Sequence, residues 1–144
     1  MRAIKLNVLL ALLLCGGLAG CSVQSPEDQL STGLATTRSW AATAELVGEA
    51  WSSGAVPTIY AQQTLQTAQK LLQQEAPALE QSQALNAAQH TTLATIQQRL
   101  AQALPELADS LAQNDRAAVT QRVAEIRAQE QALQALEREL GLEP

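Results

Sequence analysis

His90 is the only histidine of this sequence and therefore the first side chain to consider for catalysis or metal binding. No Glu-x-x-His pattern accompanies it, as a di-iron helical bundle would require, and no Cys-x-x-Cys-His pattern provides for covalent haem. No glycine-bearing turn lies near it to build an oxyanion hole or a nucleophile elbow. We therefore expect no catalytic residue, no metal ligand and no cofactor, and we interpret His90 as a solvated side chain.

Charged pairs at helical spacing are the next candidates. Glu45 and Glu49 are four residues apart and repel each other on an isolated helix, so they could bind a cation or meet basic residues of a neighbouring helix. The simpler interpretation is a solvated acidic face. Near the carboxyl end, Arg122 precedes Glu125 by three residues and Arg127 precedes Glu130 by three. We expect both to form surface ion pairs, each contributing about 0.2–1 kcal/mol.

Two tryptophans, Trp40 and Trp51, are three helical turns apart and therefore point the same way. One interpretation is that the two rings close the core beside small residues that let another helix approach. The other is that they form an aromatic patch for a partner or an apolar ligand, because large exposed apolar patches usually mark interaction sites.

The amino-terminal segment has a charged start, a short apolar run and then small residues before a cysteine. Arg2 and Lys5 are basic, residues 6–14 are apolar apart from Asn7, and Leu18-Ala19-Gly20-Cys21 follows. This order is typical of a secretory signal, and the apolar run is shorter than the roughly 20 residues of a spanning helix.

Leu18-Ala19-Gly20-Cys21 resembles the lipobox of bacterial lipoproteins. The resemblance implies that a diacylglycerol is attached to Cys21 by a thioether, that residues 1–20 are removed, and that the new amino terminus is acylated. By resemblance to lipoproteins of diderm bacteria, Ser22 favours the outer membrane, facing the periplasm. Stable anchoring takes more than one acyl chain, which the lipoprotein pathway supplies.

The mature chain, residues 21–144, has the length of one domain. Without Arg2 and Lys5, seven of the nine basic side chains remain against fourteen acidic ones, a formal charge of −7. This balance argues against a nucleic-acid partner, because such binding depends on Lys and Arg neutralising phosphates. It also argues against an electrostatic contact with anionic lipid. Ala, Gln and Leu dominate, and all three favour helices.

Residues 21–26 form a lipidated tether to a single helical domain, residues 27–144. Ser25 can cap a first helix that begins with Pro26 and ends at Ser52-Ser53-Gly54. A second turn at Asn114-Asp115 precedes the last helix, which Asp115 can cap and which runs to about residue 140. We find no strand, so the fold class is all-α.

Between these helices, one apolar stripe keeps its helical phase from Tyr60 to Leu111, across Pro77 and Pro105. A loop would be free to reset that phase. We therefore favour an antiparallel bundle of three long helices whose middle member is kinked or broken at the two prolines. The alternative is an up-down four-helix bundle in which the prolines lie in the first turns of separate helices.

The sequence leads us to expect a non-enzymatic, membrane-anchored envelope lipoprotein that presents an amphipathic helical surface. Its partner would be an unknown envelope protein or a second copy, with coiled-coil-like contacts in which Leu93 and Leu100 take part. The alternative is a helical carrier or sensor that binds a small apolar or cationic ligand near Trp40, Trp51 and Glu45.

Overall fold

The computed structural model describes residues 25–142, so the signal segment and Cys21 lie outside the described residues. Four α-helices account for nearly all of it, and the described part contains no strand. Their bounds are α1, Pro26–Ser52; α2, Thr58–Glu80; α3, Ala87–Ala112; and α4, Arg116–Glu139. Short turns join them, and α1 and α3 each pack against both α2 and α4. The result is an up-down four-helix bundle. The all-α prediction is confirmed, and the prediction of three long helices is wrong.

Side-chain caps fix where three of the helices begin. Ser25 Oγ accepts a hydrogen bond from the amide of Asp28, with Pro26 at the first helical position. Asp115 caps α4 in the same way. Asn86 and Gln89 form a reciprocal capping box at the start of α3, each side chain accepting from the other's amide. The caps at Ser25 and Asp115 were predicted from the sequence, and the capping box at Asn86 was not.

The two prolines of the apolar stripe lie within helices and interrupt neither. Pro77 is in the last turn of α2, and Pro105 is in the second half of α3. A helical proline leaves the carbonyl four residues earlier without its amide partner. Those carbonyls belong to Gln73 and Ala101, two exposed residues where water can replace the missing donor. The chain instead turns at residues 81–86, which is why the expected break was misplaced.

The core consists almost entirely of aliphatic side chains, and one aromatic ring, Trp51, joins it at the end of the bundle away from residue 25. The fully buried large side chains include most of the predicted stripe: Leu65, Leu79, Leu93, Leu100, Leu104, Leu107 and Leu111. The stripe therefore faces inward on two antiparallel helices, where α1 and α4 cover it.

Ion pairs hold α4 against both of its neighbours. Arg38 of α1 pairs with Glu137 at 3.4 Å, and Glu106 of α3 pairs with Arg122 at 2.9 Å. The charged residues of α2 lie only in its second half, and none of them forms an ion pair with a described residue. Helix α2 is also the helix with the fewest buried residues. It is therefore held mainly by apolar contacts on a narrow face.

Candidate functional site

Trp51 is packed inside the bundle as part of its core. Its ring is buried, and its indole nitrogen donates to Thr58 Oγ1 at 2.9 Å across the turn between α1 and α2. The guanidinium carbon of Arg116 lies 5.8 Å from the ring centroid, within cation–π range, and Arg116 also donates to the carbonyl of Ser52 at 2.9 Å. Trp51 thus closes the distal end of the bundle, as the core interpretation proposed.

Trp40 is only half-buried, although it points to the same side of α1. It borders a shallow surface depression together with small residues of α1: Ser31, Thr32, Ala35, Thr36 and Ser39. The two tryptophans therefore do not form one patch. Trp40 remains accessible to a partner, and Trp51 does not.

Glu45 and Glu49 share one cation, Arg127 of α4. The Arg127 Nε donates to Glu45 at 2.8 Å, and one of its terminal nitrogens lies 2.7 Å from the same carboxylate and also binds Glu49. Hydrogen bonding and charge attraction from Glu45, and then from Glu49, raise the pKa of Arg127. The pair therefore meets a basic residue of a neighbouring helix, and the expected pairing of Arg127 with Glu130 is not formed. Arg122 and Glu125 do pair, at 2.7 Å.

Leu93 and Leu100, which the sequence analysis offered as partner contacts, are core residues. Each is 1% exposed. The stripe to which they belong is enclosed once the chain turns at residues 81–86, because α1 and α4 then cover it. They cannot contact a partner while the bundle is intact.

Within residues 25–142, three large apolar side chains remain at the surface, and all lie on α1 and α2. Leu46 is 66% exposed, Ile59 is 63% exposed and Tyr60 is 54% exposed. We call the surface formed by these three residues the α1–α2 face. The sequence analysis placed Tyr60 in the apolar stripe, which would bury it. Tyr60 is exposed instead, because it lies in the first turn of α2, a helix that buries only a narrow face.

The charged side chains near the α1–α2 face are few, and those of central α1 are paired. The charged residues of central α1, namely Arg38, Glu45 and Glu49, are all engaged by α4, and α2 has no charged residue before Lys70. Nearby threonines donate their hydroxyls to the carbonyl four residues earlier, so they add methyl groups rather than free donors to the surface; they are Thr43, Thr64 and Thr67.

A cavity of about 240 Å³ lies between α2 and α3 and reaches Thr37 of α1. Its apolar wall includes Leu72, Leu100 and Leu104, and its polar groups include Gln97 and Glu80. A second recess shares Glu80 and Gln97 with this cavity and extends to His90. Within residues 25–142, no cluster of three potential metal-ligating side chains forms around His90 or elsewhere.

No protein-family model, curated protein or solved structure matches this chain. None of the four helices described here is sufficiently long and apolar to cross a membrane. Two surfaces of the bundle are therefore candidates for function: the α1–α2 face and the α2–α3 cavity.

Proposed function

We propose that the protein is a non-enzymatic envelope lipoprotein, anchored through Cys21, that associates with a second copy of itself through the α1–α2 face. One observation carries the proposal: Leu46, Ile59 and Tyr60 are more than half exposed, and the carboxylates nearest to Leu46 are paired with Arg127. Cores of protein interfaces are depleted of charge and enriched in aromatic residues. The absence of catalysis rests on the sequence, which offers no nucleophile turn and a single histidine.

Charge supports a second copy as the occupant. The chain is acidic, with a formal net charge of −5 before processing. Two such chains repel each other at most contacts, and like charges placed directly together are costly. At the α1–α2 face this repulsion is reduced, because Arg127 pairs with the carboxylates of Glu45 and Glu49.

The register of α1 and α2 makes this face complementary to itself. Trp51 bonds to Thr58 at one end, and Gly33 packs on Leu79 toward the other. Leu46, five residues before Trp51, is therefore level with the first two turns of α2. A two-fold axis parallel to the bundle would place α1 of one copy against α2 of the other, so each Leu46 would meet the first two turns of the other copy's α2, as an isologous interface requires.

The anchor fits this symmetry. Cys21 precedes the first helical residue, Pro26, by only five positions, so the lipid lies close to one end of the bundle. A two-fold axis along the bundle keeps both anchors at that end, in one membrane leaflet. The exposed Leu46 is about 30 Å further along α1, at ~1.5 Å per residue.

Native mass spectrometry of the full-length lipidated protein, released from detergent, tests the proposal. The wild type should appear at twice the mass of one chain, and Leu46→Glu should appear mainly as one chain, because the substitution places two carboxylates in the interface. Ala124→Glu, on the exposed side of α4, adds the same charge and should remain paired. A wild type seen only as single chains, or equal loss in both variants, would contradict the proposal.

A further inference from the structure

A groove between α3 and α4 contains a buried side chain whose oxygen has no partner. Gln129 of α4 is 8% exposed, and its Nε2 donates only a long hydrogen bond, 3.4 Å, to the carbonyl of Glu125. Its Oε1 accepts no hydrogen bond from a described residue. The unpaired oxygens of Glu45 and Gln97 are sealed from solvent, whereas that of Gln129 retains accessible surface in the groove. Buried polar atoms are nearly always paired, so this acceptor is available to a donor from outside the chain.

The groove, which we call the α3–α4 groove, carries opposite charges at its two ends. At one end Arg122 binds Glu106 at 2.9 Å and Glu125 at 2.7 Å, so two carboxylates share one guanidinium and negative charge is in excess. Glu106 uses only one of its oxygens for this pair, and its side chain is 50% exposed. At the other end Arg99 is exposed and forms no ion pair with any residue of the described range.

The two ends of the α3–α4 groove are two helical turns apart. Glu106 and Arg122 are level with each other because they are paired. Since α3 and α4 are antiparallel, seven residues back along α3 and seven forward along α4 lead to Arg99 and Gln129, which are therefore level as well. Two turns span about 10 Å at ~1.5 Å per residue. Arg99 and the buried acceptor thus lie together, one such span from the free oxygen of Glu106.

We propose that the α3–α4 groove binds a short peptide with free termini, three residues long. Three extended residues span about 10–11 Å at ~3.3–3.6 Å each, which matches the two turns between the charges. The ammonium meets Glu106, the carboxylate meets Arg99, and a peptide N–H donates to the oxygen of Gln129. The groove encloses about 470 Å³, within the range of about 300–1,000 Å³ that is usual for small-ligand sites.

The separation of the charges selects for a ligand that carries both signs. A simple anion meets only Arg99 and a simple cation meets only the end at Glu106, so each gains one of the two charge contacts. The site is also distinct from the surface proposed for self-association, because neither α3 nor α4 contributes a residue to the α1–α2 face. Failure of either proposal leaves the other unaffected.

Titration of the full-length lipidated protein in a non-ionic detergent with trialanine, its N-acetyl form and its C-terminal amide, monitored by amide NMR, tests the inference. Trialanine should give saturable shifts at Ala103 and at the Gln129 side chain, which line the groove. Blocking either end should weaken binding about two- to five-fold, the range of an exposed charge pair. Dialanine is too short to reach both ends and should bind as weakly as the blocked forms. Equal affinities for the three tripeptides, or no saturable shift in the groove, would overturn the assignment.

Substitutions assign each end of the peptide to its end of the groove. Arg99→Gln should weaken trialanine about two- to five-fold and leave the affinity of the C-terminal amide unchanged, because the amide makes no charge contact there. Gln129→Leu should weaken all three tripeptides, since each retains its peptide N–H donors. Lys70→Gln, at an exposed site on α2, changes the net charge equally and should bind trialanine as the wild type does. An equal loss in Lys70→Gln and Arg99→Gln, or an equal effect of Arg99→Gln on trialanine and its amide, would also overturn the assignment.

Discussion

Gly48 of α1 and Val123 of α4 approach so closely that a Cβ atom at position 48 would lie 2.5 Å from Val123 Cγ2. Both residues are buried. The approach brings the backbone of α1 near enough to α4 for Arg127 to bind Glu45 and Glu49. The glycine thus sets the spacing at which Arg127 reaches both carboxylates of central α1.

Gly48→Ala should destabilise the bundle by about 1–3 kcal/mol, the usual cost of overpacking a core. The gain in helix propensity, about 1 kcal/mol, offsets only part of the clash. Val123 is β-branched and has little rotamer freedom in a helix, so it cannot turn aside. Urea unfolding measures the change. Gly33→Ala is the control and should cost less, because its nearest neighbour is the mobile tip of Leu79, at 2.8 Å.

The two tryptophans should differ sharply in acrylamide quenching. In Trp40→Phe the remaining Trp51 is 6% exposed and bonded to Thr58, so its fluorescence should be protected and its emission blue-shifted. In Trp51→Phe the half-buried Trp40 should be quenched readily. Equal quenching constants in the two variants would show that the distal end of the bundle is not packed as described.

Acid should weaken the ion pair between Arg122 and Glu125 on α4. The hydrogen bond from Arg122 lowers the pKa of Glu125 below its ordinary value of 4.5. A carboxylate whose pKa is lower in the folded state contributes stability that is complete above the ordinary value and is lost as the pH falls toward the folded-state value. Urea unfolding from about pH 5 to pH 3 should show a shallower loss of stability in Glu125→Gln. Ala128→Gln, at an exposed site on the same helix, should retain the wild-type slope.

The intact mass of the detergent-extracted protein should correspond to residues 21–144 plus an acylated diacylglycerol thioether. Cys21 lies outside the described residues, so this expectation rests on the resemblance of Leu18-Ala19-Gly20-Cys21 to a lipobox. Cys21→Ser should leave the protein in the aqueous phase on detergent partitioning. A mature chain without lipid mass, or membrane partitioning that Cys21→Ser does not alter, would refute the anchor.

Local signals predicted much of the fold. The first and last helices were predicted from their caps, Ser25 and Asp115, and from their apolar periodicity, because both signals act within one turn of the chain. The connection between α2 and α3 could not be predicted in this way. Residues 81–86 contain neither glycine nor proline, and the six-residue turn happens to preserve the helical phase. Pro77 and Pro105 were the only conspicuous breakers and were misleading.

The candidate sites depend on contacts between helices that spacing alone does not reveal. Arg127 was assigned to Glu130 at three residues' separation, but it binds Glu45, 82 positions away. Leu93 and Leu100 were assigned to a partner because a single long helix would leave them uncovered. The unpaired side-chain oxygen of Gln97 could not be predicted, because the sequence contains many glutamines and only the packing of the helices distinguishes this one.

Photo-crosslinking in intact cells tests self-association through the α1–α2 face most directly. Leu46 is replaced by a photoreactive phenylalanine analogue in the full-length lipoprotein, and Ala124 is replaced likewise as the control. Irradiation should yield a product of twice the mass of one chain from position 46 and none from position 124, with crosslinked peptides from the first turns of α2. Products that contain only other proteins, or equal yields of the double-mass product from both positions, would contradict the account.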